Sequence, residues 1–188
     1  MAARTLARTL TNVLNPFAIF TALYALVALS EVEAFRALLY VALELLAAAA
    51  VAGYVLLMRR RALVGDFWIS ARAERFTPAL FLLAAFAALL AALALLDAPD
   101  HLLLLTLSMG LASAAVTLFT LFFKASAHCT VAGHAATAGL LVLGFPGIIF
   151  AVTLPLVVWA RVALGAHTTS EALAGAAVGA VFALLFLT

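Results

Sequence analysis

An all-α fold is what this sequence predicts: a polytopic membrane helical bundle of about six to seven transmembrane helices, in one domain over residues 1–188. Three observations carry that reading. Hydrophobic residues make up 69% of the 188 and charged ones only 10%, and the mean hydropathy is +1.29. A soluble domain cannot bury that much apolar surface, whereas lipid-facing helices require it. The apolar residues also come in runs of helix-spanning length, separated by short polar islands. Finally, backbone polar groups in lipid must be satisfied within their own segment, which leaves helices as the form for such runs. Ten basic residues without aromatic interleaving give a net charge of only +2, so no nucleic-acid surface is expected. Cys129 is the single cysteine and cannot form a disulfide within the chain.

The elements follow in order. Residues 1–12, with Arg4, Arg8 and Asn12, read as a short amphipathic lead-in. No small-residue cleavage site follows, so the next apolar run reads as a first span and not a removed signal peptide. Asn15-Pro16 suits a helix start, because proline is tolerated in a first turn; span one is placed at 13–30. Glu31, Glu33 and Arg36 mark a connection, and span two runs over 37–58 to the triplet Arg59, Arg60 and Arg61. Residues 62–77 form the longest polar segment, holding Asp66, Arg72, Glu74 and Arg75. Pro78 opens span three, which ends near residue 96, and 97–101 is a tight turn before span four at 102–123. A second polar island covers 124–130, followed by a short span five at 131–143. Gly-Phe-Pro-Gly at 144–147 is a turn signal. Span six covers 148–163, with a kink predicted at Pro155. Span seven starts at Ser170, and its small residues Ala174, Gly175, Ala176 and Gly179 suit close helix packing in lipid.

With seven spans, the N-terminus and the islands at 59–77, 124–130 and 161–170 share one side of the membrane. Nine of the ten basic residues lie there, and only Arg36 lies opposite. Setting aside the cations suspected of binding phosphate, five still face one. The positive-inside rule then places all three islands on the cytoplasmic side.

Ionisable groups set among membrane helices are functional-site candidates by default. His167 and Glu171 are four residues apart, so a helix capped by Thr169 or Ser170 would let the carboxylate reach back to the imidazole. Arg161 lies six residues upstream across a turn marked by Gly165. An arginine fork, a histidine and an acid to hold it suit phosphoryl transfer through a nucleophilic imidazole. Together the islands offer Arg72, Arg75, Lys124, Ser126, His128, Arg161, His167 and Glu171. That cationic balance fits a phosphate monoester or diphosphate, and no metal or cofactor is expected. Plainer readings stand beside these: Arg161 as a snorkelling cation, His167 as a helix cap, His128 as interfacial polarity, and Arg72 and Arg75 as positive-inside anchors, the reading preferred for Arg59 to Arg61. His134 reads as a packing or hydrogen-bonding residue, His101 as lying on the wrong face, Cys129 as a small apolar filler, and Trp68 and Trp159 as interfacial belt residues.

These residues resemble the type 2 phosphatidic acid phosphatase family, related to bacterial acid phosphatases and vanadium haloperoxidases. The family's third motif, S-R-x5-H-x3-D, is matched by Ala160-Arg161, five residues, His167, three residues and Glu171, with Ala-Leu-Ala-Gly175 continuing the likeness. Its second motif, P-S-G-H, resembles Ala125-Ser126-Ala127-His128. Arg72 and Arg75, just before Pro78, are the nearest counterpart of the first motif, K-x6-R-P, without its spacing. The resemblance covers about 66–188, with glutamate standing at 171 where the family has aspartate. It implies that His167 attacks phosphorus to form a phosphohistidine, that Glu171 fixes the ring, and that His128 is the general acid. Arg161, Lys124, Arg75 and Arg72 would hold the non-bridging oxygens, helped by Ser126.

The function expected is therefore a metal-independent membrane lipid phosphatase, in the inner membrane, acting on a polyprenyl phosphate or diphosphate or on a phosphatidate-class lipid. Its partners would be the lipid phosphate substrate and the surrounding membrane lipids. A phosphotransferase on the same scaffold, or a protein that binds or transports an anionic lipid, are the rivals.

Overall fold

The computed structural model describes residues 2–69 and 71–188. It is all-helical, with eight α-helices and no strand among the described residues. They are α1 (Ala2–Val13), α2 (Pro16–Glu31), α3 (Ala34–Arg60), α4 (Phe76–Leu95), α5 (Asp100–Phe119), α6 (Ala127–Ala138), α7 (Ile148–Ala163) and α8 (Thr169–Leu187). Among the described residues, five segments are long and apolar enough to cross a membrane: α3, α4, α5, α8, and α7 with its 3-10 lead-in from Phe145. α1 and α2 make a sixth if the pair counts as one span. α6 is shorter and gains a turn of π-helix over Gly139–Leu143. Five candidate membrane-spanning helices fit an integral membrane protein.

The predicted breaks hold at most joints, with local differences. Asn15 caps α2 by accepting the Ala18 N–H at 3.0 Å, with Pro16 at the first helical position. Span one therefore starts at 16, not 13, and α1 meets α2 at a bend of 47°. α6 begins four residues before the predicted start of span five, because Ser126 caps it. α5 stops at Phe119, short of the predicted 123. α7 remains one helix through Pro155.

The two ends of the bundle differ in character. At one, His101 at the start of α5 pairs with Glu31 at the end of α2. Nearby, Arg36 and Tyr40 both donate to the Leu96 carbonyl, at 3.2 and 3.3 Å. The islands at 59–77, 124–130 and 161–170 gather at the other, where α3 and α7 end and α4, α6 and α8 begin. Between them, Leu23, Tyr24, Leu93, Leu102, Leu105 and Met109 form a buried core.

The most extensive helix packing joins α6 to α8. A Cβ added at Gly179 would overlap the Thr130 carbonyl oxygen, and one at Gly175 would lie 2.5 Å from that of Ser126. On the facing helix, a Cβ at Gly133 would overlap the Ala176 carbonyl. The two backbones thus touch directly, which small residues permit in lipid where no hydrophobic effect drives helices together. Gly179→Leu is expected to destabilise the fold by about 1–3 kcal/mol or more, read as a fall in thermal midpoint in detergent. Gly53→Leu, where an added Cβ meets nothing within 4 Å, should leave the midpoint nearly unchanged.

Candidate active site

The α7–α8 turn places three of the candidate groups. Arg161 lies in the last turn of α7, and its carbonyl accepts the N–H groups of Ala166 and His167 at 3.1 and 3.4 Å. Gly165 turns the chain with φ of 67°, a left-handed conformation that glycine adopts without a Cβ penalty. Thr168 then caps α8. Its hydroxyl accepts the Glu171 N–H at 3.2 Å, while Glu171 Oε2 accepts the Thr168 N–H at 2.9 Å, a capping box. The cap is thus Thr168 and not Thr169 or Ser170, because Thr168 has the extended backbone that a cap needs.

The Glu171 carboxylate is consequently shared. Its Oε2 lies 3.4 Å from His167 Nδ1, but that nitrogen is closer, at 3.1 Å, to the Lys124 carbonyl. A carbonyl oxygen can only accept, so Nδ1 carries the hydrogen and Nε2 keeps its lone pair. His167 is 7% exposed. Burial, then the charges of Arg161 and Arg75, push its pKa down to about 4, against a smaller upward effect of the Lys124 carbonyl. At neutral pH the ring is uncharged, as a nucleophile must be.

Across from this turn, Ser126 caps α6 by accepting the Cys129 N–H at 3.4 Å, and its own N–H donates to the Glu171 carbonyl at 3.2 Å. That anchors the first turn of α6 on α8 and sets His128 beside His167. The third wall is the segment before α4. There Arg75 Nε donates to the Ile69 carbonyl at 2.9 Å, and burial lowers the Arg75 pKa, opposed by Glu171 and Asp66. Ile69 has φ of 50°, a strained conformation for a β-branched residue, and it lines the cavity described next.

Arg75, His128, Arg161 and His167 all line one cavity of about 210 Å³. Arg161 Nε and His128 Nε2 are buried without a hydrogen-bond partner. Unsatisfied buried polar atoms of this kind are uncommon and call for an occupant or a role. Among the described residues no group of three or more His, Cys, Asp or Glu side chains is placed to hold a metal ion.

Other predicted site residues stand outside this lining. Lys124 turns its ammonium to the Ala166 carbonyl at 3.2 Å, so it braces the α7–α8 turn while its own carbonyl holds His167. Ser126 is spent on capping, and Glu171 acts from behind the histidine. Arg72 is exposed and lines a neighbouring cavity that shares Arg75, Thr117 and Thr120 with the first. The sequence reading missed Trp68, whose ring meets that of His128 edge-on with centroids 4.7 Å apart, so it belongs to the site wall. It also missed Asp66, which accepts the Trp68 N–H at 2.9 Å and lies within electrostatic reach of Arg75 and Arg161. An Asp two residues before a Trp in the longest polar segment was the available signal. His134 donates to or accepts from Ser108 at 2.8 Å within the bundle, as a hydrogen-bonding residue should.

No protein-family model, no curated protein and no solved structure matches this chain.

The lowered pKa of His167 has a stability consequence. The unfolded histidine takes up its proton near pH 6.5, the folded one only near 4. Between those values the unfolded state binds more protons, so stability should fall as pH drops from about 6.5 to 4 and level off below. Unfolding midpoints in detergent across that window should show a smaller fall for His167→Gln than for the native chain; equal slopes would place the titration elsewhere.

Proposed function

We propose that this protein is an integral membrane lipid phosphatase that works through a phosphohistidine on His167. The observation that carries the reading is the convergence of a neutral, ring-oriented histidine, a second histidine and two arginines on one cavity, with Arg161 Nε and His128 Nε2 unpartnered. The motif resemblance to type 2 phosphatidic acid phosphatases supports the same roles. Arg161 and Arg75 hold the non-bridging phosphate oxygens, where charge develops most in the transition state. His167 Nε2 attacks phosphorus as the bond to the lipid oxygen breaks. The imidazolium so formed keeps its Nδ1–H on the Lys124 carbonyl, with the Glu171 carboxylate at 3.4 Å as counter-charge. His128 gives its proton to the leaving oxygen, then takes one from the water that cleaves the P–N bond. A bound phosphate brings the counter-charge that protonation of His128 requires. No step of this route calls on a metal ion.

The substrate is an amphiphile whose phosphate lies at headgroup depth, of the polyprenyl phosphate, polyprenyl diphosphate or phosphatidate class. The proposed location is the inner membrane with the site facing the cytoplasm, an orientation supported by the excess of basic residues at the site's end of the bundle.

Phosphate release in micelles is expected from at least one of farnesyl diphosphate, a polyprenyl phosphate, phosphatidate or phosphatidylglycerol phosphate, and it should persist in excess EDTA. His167→Ala should lower it by on the order of 10³-fold or more, and Arg161→Gln by about 10²–10³-fold. Headgroup binding without release, equal in the native chain and His167→Ala, would instead indicate an anionic-lipid binding protein. For the leaflet, a cysteine at position 62 should be labelled only in permeabilised cells and one at 99 in intact cells; the reverse pattern would invert the orientation. Native Cys129 is fully buried and should stay silent in that assay.

A further inference from the structure

A carboxylate that the site does not use sits within the bundle. Glu44, in the middle of α3, is 4% exposed. Its Oε2 accepts the Thr21 hydroxyl of α2 at 2.8 Å, and the residue lines a cavity of about 80 Å³ that is apolar apart from Glu44 and Ser113. That cavity adjoins the phosphate site: Pro16, Phe17, Val51, Leu82, Met109, Ser113 and Val131 line both. Along α3, Val55 borders the phosphate cavity and Glu44 the apolar one. Those residues are eleven apart, or roughly 16 Å at helical rise.

A polar head site beside a largely apolar, partly open cavity suits an amphiphile whose head group lies in the first and whose chain lies in the second. The apolar cavity is small, about 80 Å³, and is lined by α2, α3, α4, α5 and α6, a size suited to one chain. A hydrocarbon with C–C bonds near 1.5 Å covers the distance in about a dozen atoms. At the far end, methylenes pressed against the Glu44 carboxyl would strip it of polar contacts without replacing them, which is unfavourable.

We propose that this cavity holds a single hydrocarbon chain of the substrate, and that Glu44, held by Thr21, is a polar floor that sets the preferred chain length. The proposal rests on the phosphate-site reading for the position of the head group, and it adds a specificity-determining residue far from the chemistry.

The test uses His167→Ala as the background, so that ligands are bound and not consumed. Binding of methyl, butyl, octyl, dodecyl and hexadecyl phosphate is measured by calorimetry in maltoside micelles. Affinity should rise about three- to fourfold per methylene while the chain stays within the cavity, and it should stop rising once the chain reaches Glu44. Adding Glu44→Leu should move that limit to longer chains, while Glu44→Gln, still polar, should keep the native limit. Ala85→Phe, which fills the cavity from α4, should move the limit to shorter chains and leave methyl phosphate affinity unchanged. This second variant decides the matter if Glu44→Leu does not fold. A chain-length profile that neither Glu44→Leu nor Ala85→Phe alters would overturn the proposal. Phosphate release is followed separately in the native background: its absence with the binding profile intact would remove the hydrolase reading alone and leave the chain cavity supported.

Discussion

The contact between α6 and α8 is the constraint on which the site depends. Glycines at 133, 175 and 179 let two helix backbones meet without intervening side chains. That approach brings the Ser126 N–H within reach of the Glu171 carbonyl, and so fixes the first turn of α6 against the first turn of α8. His128 belongs to the first of these turns, and His167 immediately precedes the Thr168 cap of the second. Any bulk inserted between the helices would separate the two imidazoles along with the helices.

Around that contact the chain orients its charged groups largely with its own carbonyl oxygens. The Lys124 carbonyl holds His167, the Ile69 carbonyl holds Arg75, and the Ala166 carbonyl takes the Lys124 ammonium. These acceptors come from turns and helix ends, where carbonyls lack intrahelical partners. Main-chain acceptors thus set the directions of these groups, while the Asp66 and Glu171 carboxylates lie within electrostatic reach of Arg75.

Much of this was legible in the sequence. The apolar runs separated by polar islands announced a helical membrane bundle, and Asn15-Pro16 and Gly165 marked real joints. The spacing of Arg161, His167 and Glu171 placed all three around one turn. The rest was not legible for identifiable reasons. Thr168, Thr169 and Ser170 are all competent caps, and only backbone conformation chooses among them. Lys124 and Ser126 carry the right chemistry for phosphate, and their backbone contacts, one bracing a turn and the other capping a helix, depend on a chain path that residue identity does not state. Trp68 lies in a segment without periodicity, so nothing in its neighbours indicated that it would meet His128. Glu44 is a lone acid in an apolar helix, and its meaning depends on which helices enclose it.

The hold on His167 by a main-chain atom of residue 124 separates what that position does from what it is. A carbonyl is supplied by all twenty amino acids, so the tautomer of the ring is written into the course of the chain and not into a side chain. Exchange of Lys124 for another residue leaves the acceptor in place as long as the loop keeps its path. A small backbone displacement there, with every side chain intact, would free the ring to rotate. Inspection of side-chain identities alone would therefore overlook the element that decides which nitrogen faces the cavity.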